Sequence, residues 1–289
     1  MYIRRSVLKS GVMPLPILNT RHEYSHADLI RLFLKTENLW AEHMASAEGL
    51  DVGTAYSNSE LSEIWDANTI RDVALPEELS AQEAFEQVEA HYASKGTKCF
   101  YWTFNPSAPA QRTQPLVDVL LSRGHQAFSN DVMALHQAPL RAIGEMSGVK
   151  IIPARASFRH TRQILEESAE RYKTTQLADA QMLHLDDPHW DALLALKDGE
   201  PVAYMGVLAA GEIGRIDDVY VARAHRGKGL GALMLSRVLE ISARSLFKHV
   251  LLSVNPKNGA AIGLYKKFGF AKVGEVVGYF RPGLEHEPT

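Results

Sequence analysis

Two stretches of the sequence hold residues whose types and spacing can do chemistry. Arg226-Gly-Lys-Gly-Leu-Gly231 gathers three glycines and two cations in one short turn. Successive backbone N–H groups of such a turn can point into one concavity. A helix starting there adds partial positive charge, which suits a pyrophosphate. Glycine serves because a Cβ would block close approach or a positive φ, although glycines also simply permit a tight strand-to-helix turn. Just upstream, Ile216-Asp-Asp-Val-Tyr-Val221 sets the carboxylates of Asp217 and Asp218 inside an otherwise apolar strand. Alternation along a strand turns the two to opposite faces, so only one of them enters a given cleft. Pairing with Arg215 or Arg223 as surface charges is the competing reading.

The elements around these residues follow from periodicity. Trp190 to Leu196, Pro201 to Ala209 and Ile213 to Val221 read as an antiparallel meander, with Asp198-Gly199 and Gly211-Glu212 as its turns. The glycine-rich turn follows the third strand and opens a helix whose Leu230, Leu233, Met234, Val238 and Ile241 share one face. Val250 to Val254 is a short apolar strand, Asn258 to Phe268 a helix closed by Gly269, and Val273 to Phe280 a last strand. Val149 to Ala154 and Phe158 to Tyr172 precede the meander as a strand and a helix. Spacing excludes two phosphate-binding frames. A Walker loop needs G-x-x-x-x-G-K-[ST] and a dinucleotide fingerprint G-x-G-x-x-G, whereas this turn reads G-x-G-x-G.

The first half repeats part of this order. Ala81 to Ser94 reads as a helix, Cys99 to Phe104 as a strand, Asn105-Pro106 as its exit and Pro115 to Ser122 as a helix ended by Gly124. Asn255-Pro256 and Gly269 punctuate the second half at the matching places, and an insertion over 107–114 accounts for the longer first spacing. Upstream, Ile17 precedes Leu29 by the same interval as Ile152 precedes Ile164. Where the second half has its glycine-rich turn, the first has Thr69-Ile-Arg-Asp-Val-Ala-Leu-Pro-Glu-Glu-Leu-Ser80. The pattern reads as a duplicated fold whose first copy has lost the phosphate loop; two unrelated α/β segments in the same order are the alternative. A linker over 137–148, with Pro139, Gly144 and Gly148, separates domains at 1–140 and 149–289.

The composition narrows the class. The 289 residues are 46% hydrophobic and 22% charged, with 31 Lys+Arg against 34 Asp+Glu, a net charge of -3 and one cysteine. That balance, without runs of like charge, argues against a nucleic-acid tract or a polybasic membrane anchor. The longest nearly apolar stretch, Ala203 to Ala210, is far short of the roughly 20 residues of a membrane span. The N-terminal residues lack the pattern of a secretory signal, so cytoplasmic residence is expected.

With these residues in hand, a resemblance can be stated. Val219-Tyr-Val-Ala-Arg-Ala-His-Arg226-Gly-Lys-Gly229-Leu-Gly231 resembles the acetyl-CoA signature R/Q-x-x-G-x-G/A of the GNAT N-acetyltransferase superfamily. Asn258-Gly-Ala-Ala261-Ile-Gly-Leu264-Tyr265-Lys-Lys-Phe-Gly269-Phe270 resembles its later N-x-x-A-x-x-L-Y-x-x-x-G-F segment. The resemblance spans about 149–283 by motif and 15–138 by element order. It implies an α/β (α+β) chain of two tandem GNAT-like domains, each a mixed, mostly antiparallel sheet flanked by helices, the first degenerate.

It also implies acetyl-CoA as co-substrate, no metal, and transfer to the primary amine of a small molecule or peptide. Val219 and Val221, with Tyr220 between them, would offer backbone hydrogen bonds to pantetheine. The amides of Arg226, Gly227, Lys228, Gly229, Leu230 and Gly231 would hold the pyrophosphate, and Asn258 would contact the arm. Tyr265 would protonate the departing thiolate, unless it is a core aromatic. An amine of pKa about 10.4 is almost wholly protonated at neutral pH, so a base or water relay is required. Asp217 stands, beside Asp218, where some members carry a glutamate base; being one methylene shorter, it favours a bridging water. The competing function is a non-catalytic acyl-CoA-binding module. Asp217, Asp218, Asp186 and Asp187 lean toward a cationic small acceptor; no nucleic-acid or membrane partner is expected, and the chain would be a monomer or homodimer.

The remaining clusters carry less. His184-Leu-Asp-Asp-Pro-His-Trp190 lacks a metal-binding frame and reads as a loop near the acceptor, with Tyr172 and Trp190 lining it. Cys99, in Lys-Cys-Phe-Tyr-Trp, reads as a buried thiol rather than a nucleophile.

Overall fold

A computed structural model describes residues 24–136, 143–172, 174 and 176–282. Ile17 and the first half of the expected linker, 137–142, lie outside the described residues. In the first half the elements are α1 (His26–Met44), β1 (Ser46–Leu50), β2 (Gly53–Ser57), β3 (Thr69–Val73), α2 (Ala81–Ser94), β4 (Tyr101–Phe104), α3 (Ala110–Ser122) and β5 (Gln126–Leu135). The second half continues with β6 (Val149–Pro153), α4 (Phe158–Ala169), α5 (Gln176–Leu183), β7 (Trp190–Lys197), β8 (Glu200–Ala210) and β9 (Ile213–Val221). It closes with α6 (Leu230–Arg244), β10 (His249–Val254), α7 (Gly259–Lys267) and β11 (Phe270–Phe280). The helix expected over 158–172 stops at Ala169 and tightens into a 3-10 turn over Glu170–Tyr172.

The described strands form one sheet in the order β1-β2-β3-β4-β11-β5-β10-β9-β8-β7-β6. This is a mixed sheet flanked by helices. Two pairs are parallel, β3 with β4 and β9 with β10, and the rest are antiparallel. Read outward from the central β11–β5 pair, β4, β3, β2 and β1 on one side answer β10, β9, β8 and β7 on the other, and β6 beyond β7 has no counterpart among the described strands. The last strand of each half crosses over. β11 lies against β4 (Tyr279↔Trp102), β5 lies against β10 (Leu251↔Ala134), and the two crossing strands pair from Phe270↔Leu135 to Phe280↔Gln126.

Alternation on these strands builds two cores. Val132 and Ala134 of β5 meet Leu29 and Phe33 of α1, while Met133 and Leu135 meet the opposite layer of Met234, Val238, Tyr265 and Phe268 from α6 and α7. In the first half, Phe85 and Val88 of α2 and Leu116 and Leu120 of α3 cover Ile70, Val73 and Trp102. Trp40 and Met44, at the far end of α1, join the core of α4, α5 and β7. α1 thus packs on strands of both halves.

That position brings a charge into the interior. Glu37 of α1 accepts from Arg71 Nη1 of β3 at 3.2 Å through Oε2 and from Arg215 Nη1 of β9 through Oε1. Arg71 also pairs with Asp66 (3.1 Å), and Arg215 with Asp217 (2.7 Å). Both arginine side chains are 1% exposed, and Arg215 lies over the rings of Phe33 and Trp40. A guanidinium is tolerated there only while carboxylates partner it. Glu37→Ala is therefore expected to cost about 3–5 kcal/mol, because it strips a partner from two buried cations. Urea unfolding followed by circular dichroism would read this as a lower midpoint. Glu48→Ala, which removes the exposed Lys95–Glu48 pair, should leave the midpoint in place.

Candidate active site

β9 and β10 run parallel from Ile213↔His249 to Ile216↔Leu252 and then part, while β10 continues against β5 to Val254↔Asp131. From Asp217 to Val221, the edge of β9 that faced β10 is no longer paired with it. A bulge marks the opening. Asp218 has φ +52°, and the register with β8 shifts between Tyr204↔Tyr220 and Gly206↔Asp217, so two residues of β9 stand opposite Met205. The bulge breaks the alternation expected across Asp217 and Asp218. Side-chain packing records the break: Ile216 joins the α6 core, while Tyr220, four residues on, joins the α4 core.

Beyond β9 the glycine-rich turn has the geometry its composition implies. Gly227 and Gly229 take φ of +72° and +84°, where a Cβ is strained. α6 begins directly after Gly229 with no side-chain cap, so its first-turn N–H groups are left to another acceptor. Arg226 is folded back on the turn, its Nε donating to the Val221 carbonyl at 3.0 Å and its guanidinium lying 5.6 Å from the Tyr220 ring centre. Lys228 Nζ donates to the Ala224 carbonyl at 2.8 Å. Gly231 differs from the other two: its φ is ordinary, and a Cβ there would meet Leu264 at 3.4 Å and Val221 at 3.8 Å, both normal contacts.

α7 faces this turn. Asn258 is its N-cap, with Oδ1 accepting from the Ala261 N–H at 3.1 Å, which leaves the Nδ2 end to reach a ligand. Tyr265, 4% exposed, packs edge-on to Phe270. Burial, and then the charge of Asp217, push its phenol up from its ordinary value, so it stays protonated at neutral pH.

The two carboxylates differ in partner. Asp217 pairs with Arg215, which is buried rather than the surface charge expected, while Arg223 goes to Glu170. Asp218 accepts at Oδ1 from Gln181 Nε2 of α5 at 2.8 Å. Burial, then Asp217, push Asp218 up to about 7, against the Gln181 hydrogen bond and Arg215. Burial also raises Asp217 against the pull of Arg215, and raises Asp66 against that of Arg71. Burial opposes the charge on Glu37 as well, but Arg215 and Arg71 hold its carboxyl below the usual range.

The matching place in the first half is closed. Asp72 repeats the bulge with φ +55°, yet β3 and β4 stay together past it: Val73 pairs with Phe104, and Asn105 N–H donates to the Val73 carbonyl at 3.0 Å. Aligning the bulges puts Arg71 where the second half has Asp217. The N-terminus of α2 is sealed by a capping box, with Glu83 N–H donating to Ser80 Oγ at 3.2 Å and Ser80 N–H to the Glu83 carboxylate at 2.9 Å. A fixed carboxylate stands where an anion would bind. The Asn-Pro exits remain alike: Asn105 Oδ1 accepts from Ser107 N–H at 2.8 Å and Asn255 Oδ1 from Lys257 N–H at 2.9 Å.

Other expected residues fall elsewhere. Trp190 is fully buried, donates to Tyr204 Oη at 3.2 Å and covers Gly206. Asp187 is buried among His43, His184 and His189, and Asp186 is exposed. Among the described residues no group of His, Cys, Asp or Glu could hold a metal ion, and no helix is long and apolar enough to cross a membrane. Cys99 is buried, its thiol pushed up by desolvation. Glu37, Asp66, Arg71 and Gln181 were not anticipated at the site. The match of Ile70-Arg-Asp-Val73 to Ile216-Asp-Asp-Val219 was the available signal for the first-half residues.

Comparison with known proteins agrees with this geometry. Residues 157–270 match the family model described as acetyltransferase (GNAT) family. A ribosomal-protein-alanine N-acetyltransferase of Bacillus subtilis is 28% identical over 96 residues, 33% of this chain and 64% of that one. The chain spans between 48% and 64% of the length of three curated relatives it matches. A GCN5-related N-acetyltransferase structure from Kribbella flavida superposes with a TM-score of 0.61 at 18% identity, over 91% of this chain and 97% of that one. A tandem GNAT protein from the clavulanic acid biosynthesis pathway gives 0.51 at 17% identity, over 69% of each chain. These likenesses carry the fold, and the matched segment contains the β9 edge, the open N-terminus of α6 and Tyr265. That segment, 157–270, is where the chain matches the acetyltransferase (GNAT) family.

Proposed function

We propose that the second half, 149–289, transfers an acetyl group from acetyl-CoA to a primary amine, and that the first half, 1–140, is a copy of the same fold without the cofactor cleft. The observation that carries the reading is the uncapped N-terminus of α6, opened by a left-handed Gly229 beside the free edge of β9. The residues fit the cofactor. First-turn amides and the exposed Arg226 and Lys228 offer donors and charge for a diphosphate, and 217–221 offers strand backbone for an amide-bearing arm. Acetyl-CoA supplies the acyl group as an activated thioester.

The side chains supply the proton transfers. Asp218 accepts one proton from the substrate ammonium, directly or through a water, with Asp217 held by Arg215 beside it. The freed amine forms the C–N bond at the acyl carbon as the C–S bond breaks. Tyr265, kept neutral by burial, gives its proton to the sulfur, and the second proton, lost by the nitrogen as the amide forms, passes to solvent, from which Tyr265 is restored. The net products are the amide, the free thiol and one proton.

Tyr265→Phe is expected to lower kcat by about a hundredfold or more with acetyl-CoA affinity unchanged, measured by thiol release and calorimetry; unchanged turnover removes it from the mechanism. Gly229→Val should weaken acetyl-CoA binding by about tenfold, since a β-branched residue resists positive φ. For pH the sign follows from Asp218, which must be ionised to accept a proton. The groups facing it are Asp217 and Arg215 on β9, Tyr204 on β8, Gln181 on α5 and Asp66. Its acid form dominates below about 7, so kcat/KM should fall as pH drops through that value, a break absent in Asp218→Asn. Acetyl-CoA binding without acceptor-dependent thiol release in an amine panel would favour the non-catalytic binding module.

A further inference from the structure

At the cleft, the side chains of both halves form one charged cluster whose account does not close. Glu37, Asp66, Asp217 and Asp218 interact with one another, and two guanidiniums, Arg71 and Arg215, stand against these four carboxylates. The ion pairs of both arginines go to Glu37, Asp66 and Asp217, whereas Asp218 takes its hydrogen bond from the neutral Gln181. The Asp66 and Asp217 side chains keep 47% and 38% exposure, so solvent reaches carboxylates that protein otherwise encloses.

A second observation points to a missing donor. Gln181 is only 9% exposed, and its Oε1 has no hydrogen-bond partner; neither has Asp218 Oδ2. The hydrogen bond from Gln181 Nε2 to Asp218 Oδ1 joins the two groups and leaves the other oxygen of each without a donor. Buried acceptors left open in this way favour a donor that bonds to both. An ammonium has three N–H donors and the sign that four carboxylates lack.

We propose that Asp218 and Gln181, with Asp66 contributed by the first half, form the acceptor subsite, and that it takes a small amine bearing a second cationic group. This rests on the acetyl-transfer reading of the β9–β10 cleft. The reacting ammonium donates to Asp218 Oδ2 and Gln181 Oε1 and passes one proton to Asp218. The amine then carries no charge, and the protonated Asp218 removes one of the two uncompensated negative charges. The second cation, at Asp66, balances the other. The first half, which has no cofactor cleft, thereby sets acceptor specificity.

The test titrates the full-length protein, without acetyl-CoA, with three probes of equal length: 1,3-diaminopropane, propylamine and 3-aminopropanoate. The diamine is expected to bind about tenfold more tightly than propylamine, with the aminoacid weakest, since a charged hydrogen-bonded contact is worth that much. Asp66→Asn, on a half-exposed side chain, should erase the advantage of the diamine while leaving propylamine unchanged. Gln181→Leu should weaken both amines about tenfold, with circular dichroism reporting that the variant is folded. Equal binding of the three probes, no binding of any, or variants indistinguishable from wild type would each overturn the proposal. A separate titration with acetyl-CoA reads the cofactor cleft, so failure of the acetyl-transfer reading is distinguished from failure of the acceptor subsite.

Discussion

Glu37 is the constraint on which the rest of the interior depends. One carboxylate from α1 serves a guanidinium from β3 and another from β9, and neither arginine has water to fall back on. Desolvating two cations is tolerable only if their partners stay in place, so the position of α1 fixes that of β3 against β9. That arrangement in turn brings Asp217, held by Arg215, within electrostatic reach of Asp66, held by Arg71. Structural pairing and site electrostatics are here the work of the same atoms.

The two halves show how small changes close or open a cleft. Both parallel strand pairs carry a left-handed aspartate, Asp72 or Asp218. In the second half the strands part before the bulge and the next helix begins without a cap; in the first they stay paired beyond it, and Ser80 with Glu83 fills the helix end. An arginine in place of Asp217 completes the difference. That arginine, Arg71, pairs with Glu37 and Asp66, whereas Asp217 pairs with Arg215.

Much of this could be read along the chain because it is local. Glycine spacing gave the turn at 226–231, the Asn258 motif gave the helix that carries Tyr265, and the Asn-Pro pairs gave matching exits from β4 and β10. Local patterning could not give the partners of a strand. β5 and β11 each carry the apolar alternation of a strand in a sheet, and nothing in that pattern says that each belongs beside the other half's parallel pair. The bulge at Asp218 was hidden for a similar reason, since an aspartate admits positive φ without requiring it. The Glu37 cluster joins residues far apart in sequence, and helical periodicity describes Glu37 only as a polar residue on an amphipathic helix.

The crossing of β5 and β11 has a consequence for the order of assembly. A chain leaving the ribosome makes β4 long before β11, so the edge of β4 that β11 will cover stays unpaired while the whole second half is synthesised. Open strand edges recruit other strands, and pairings between distant segments form slowly. β5 meanwhile waits for both of its neighbours, β10 and β11. Neither half can complete its sheet by itself, so the two become stable together, and β11, the last of the described strands, is the one that locks the first half shut.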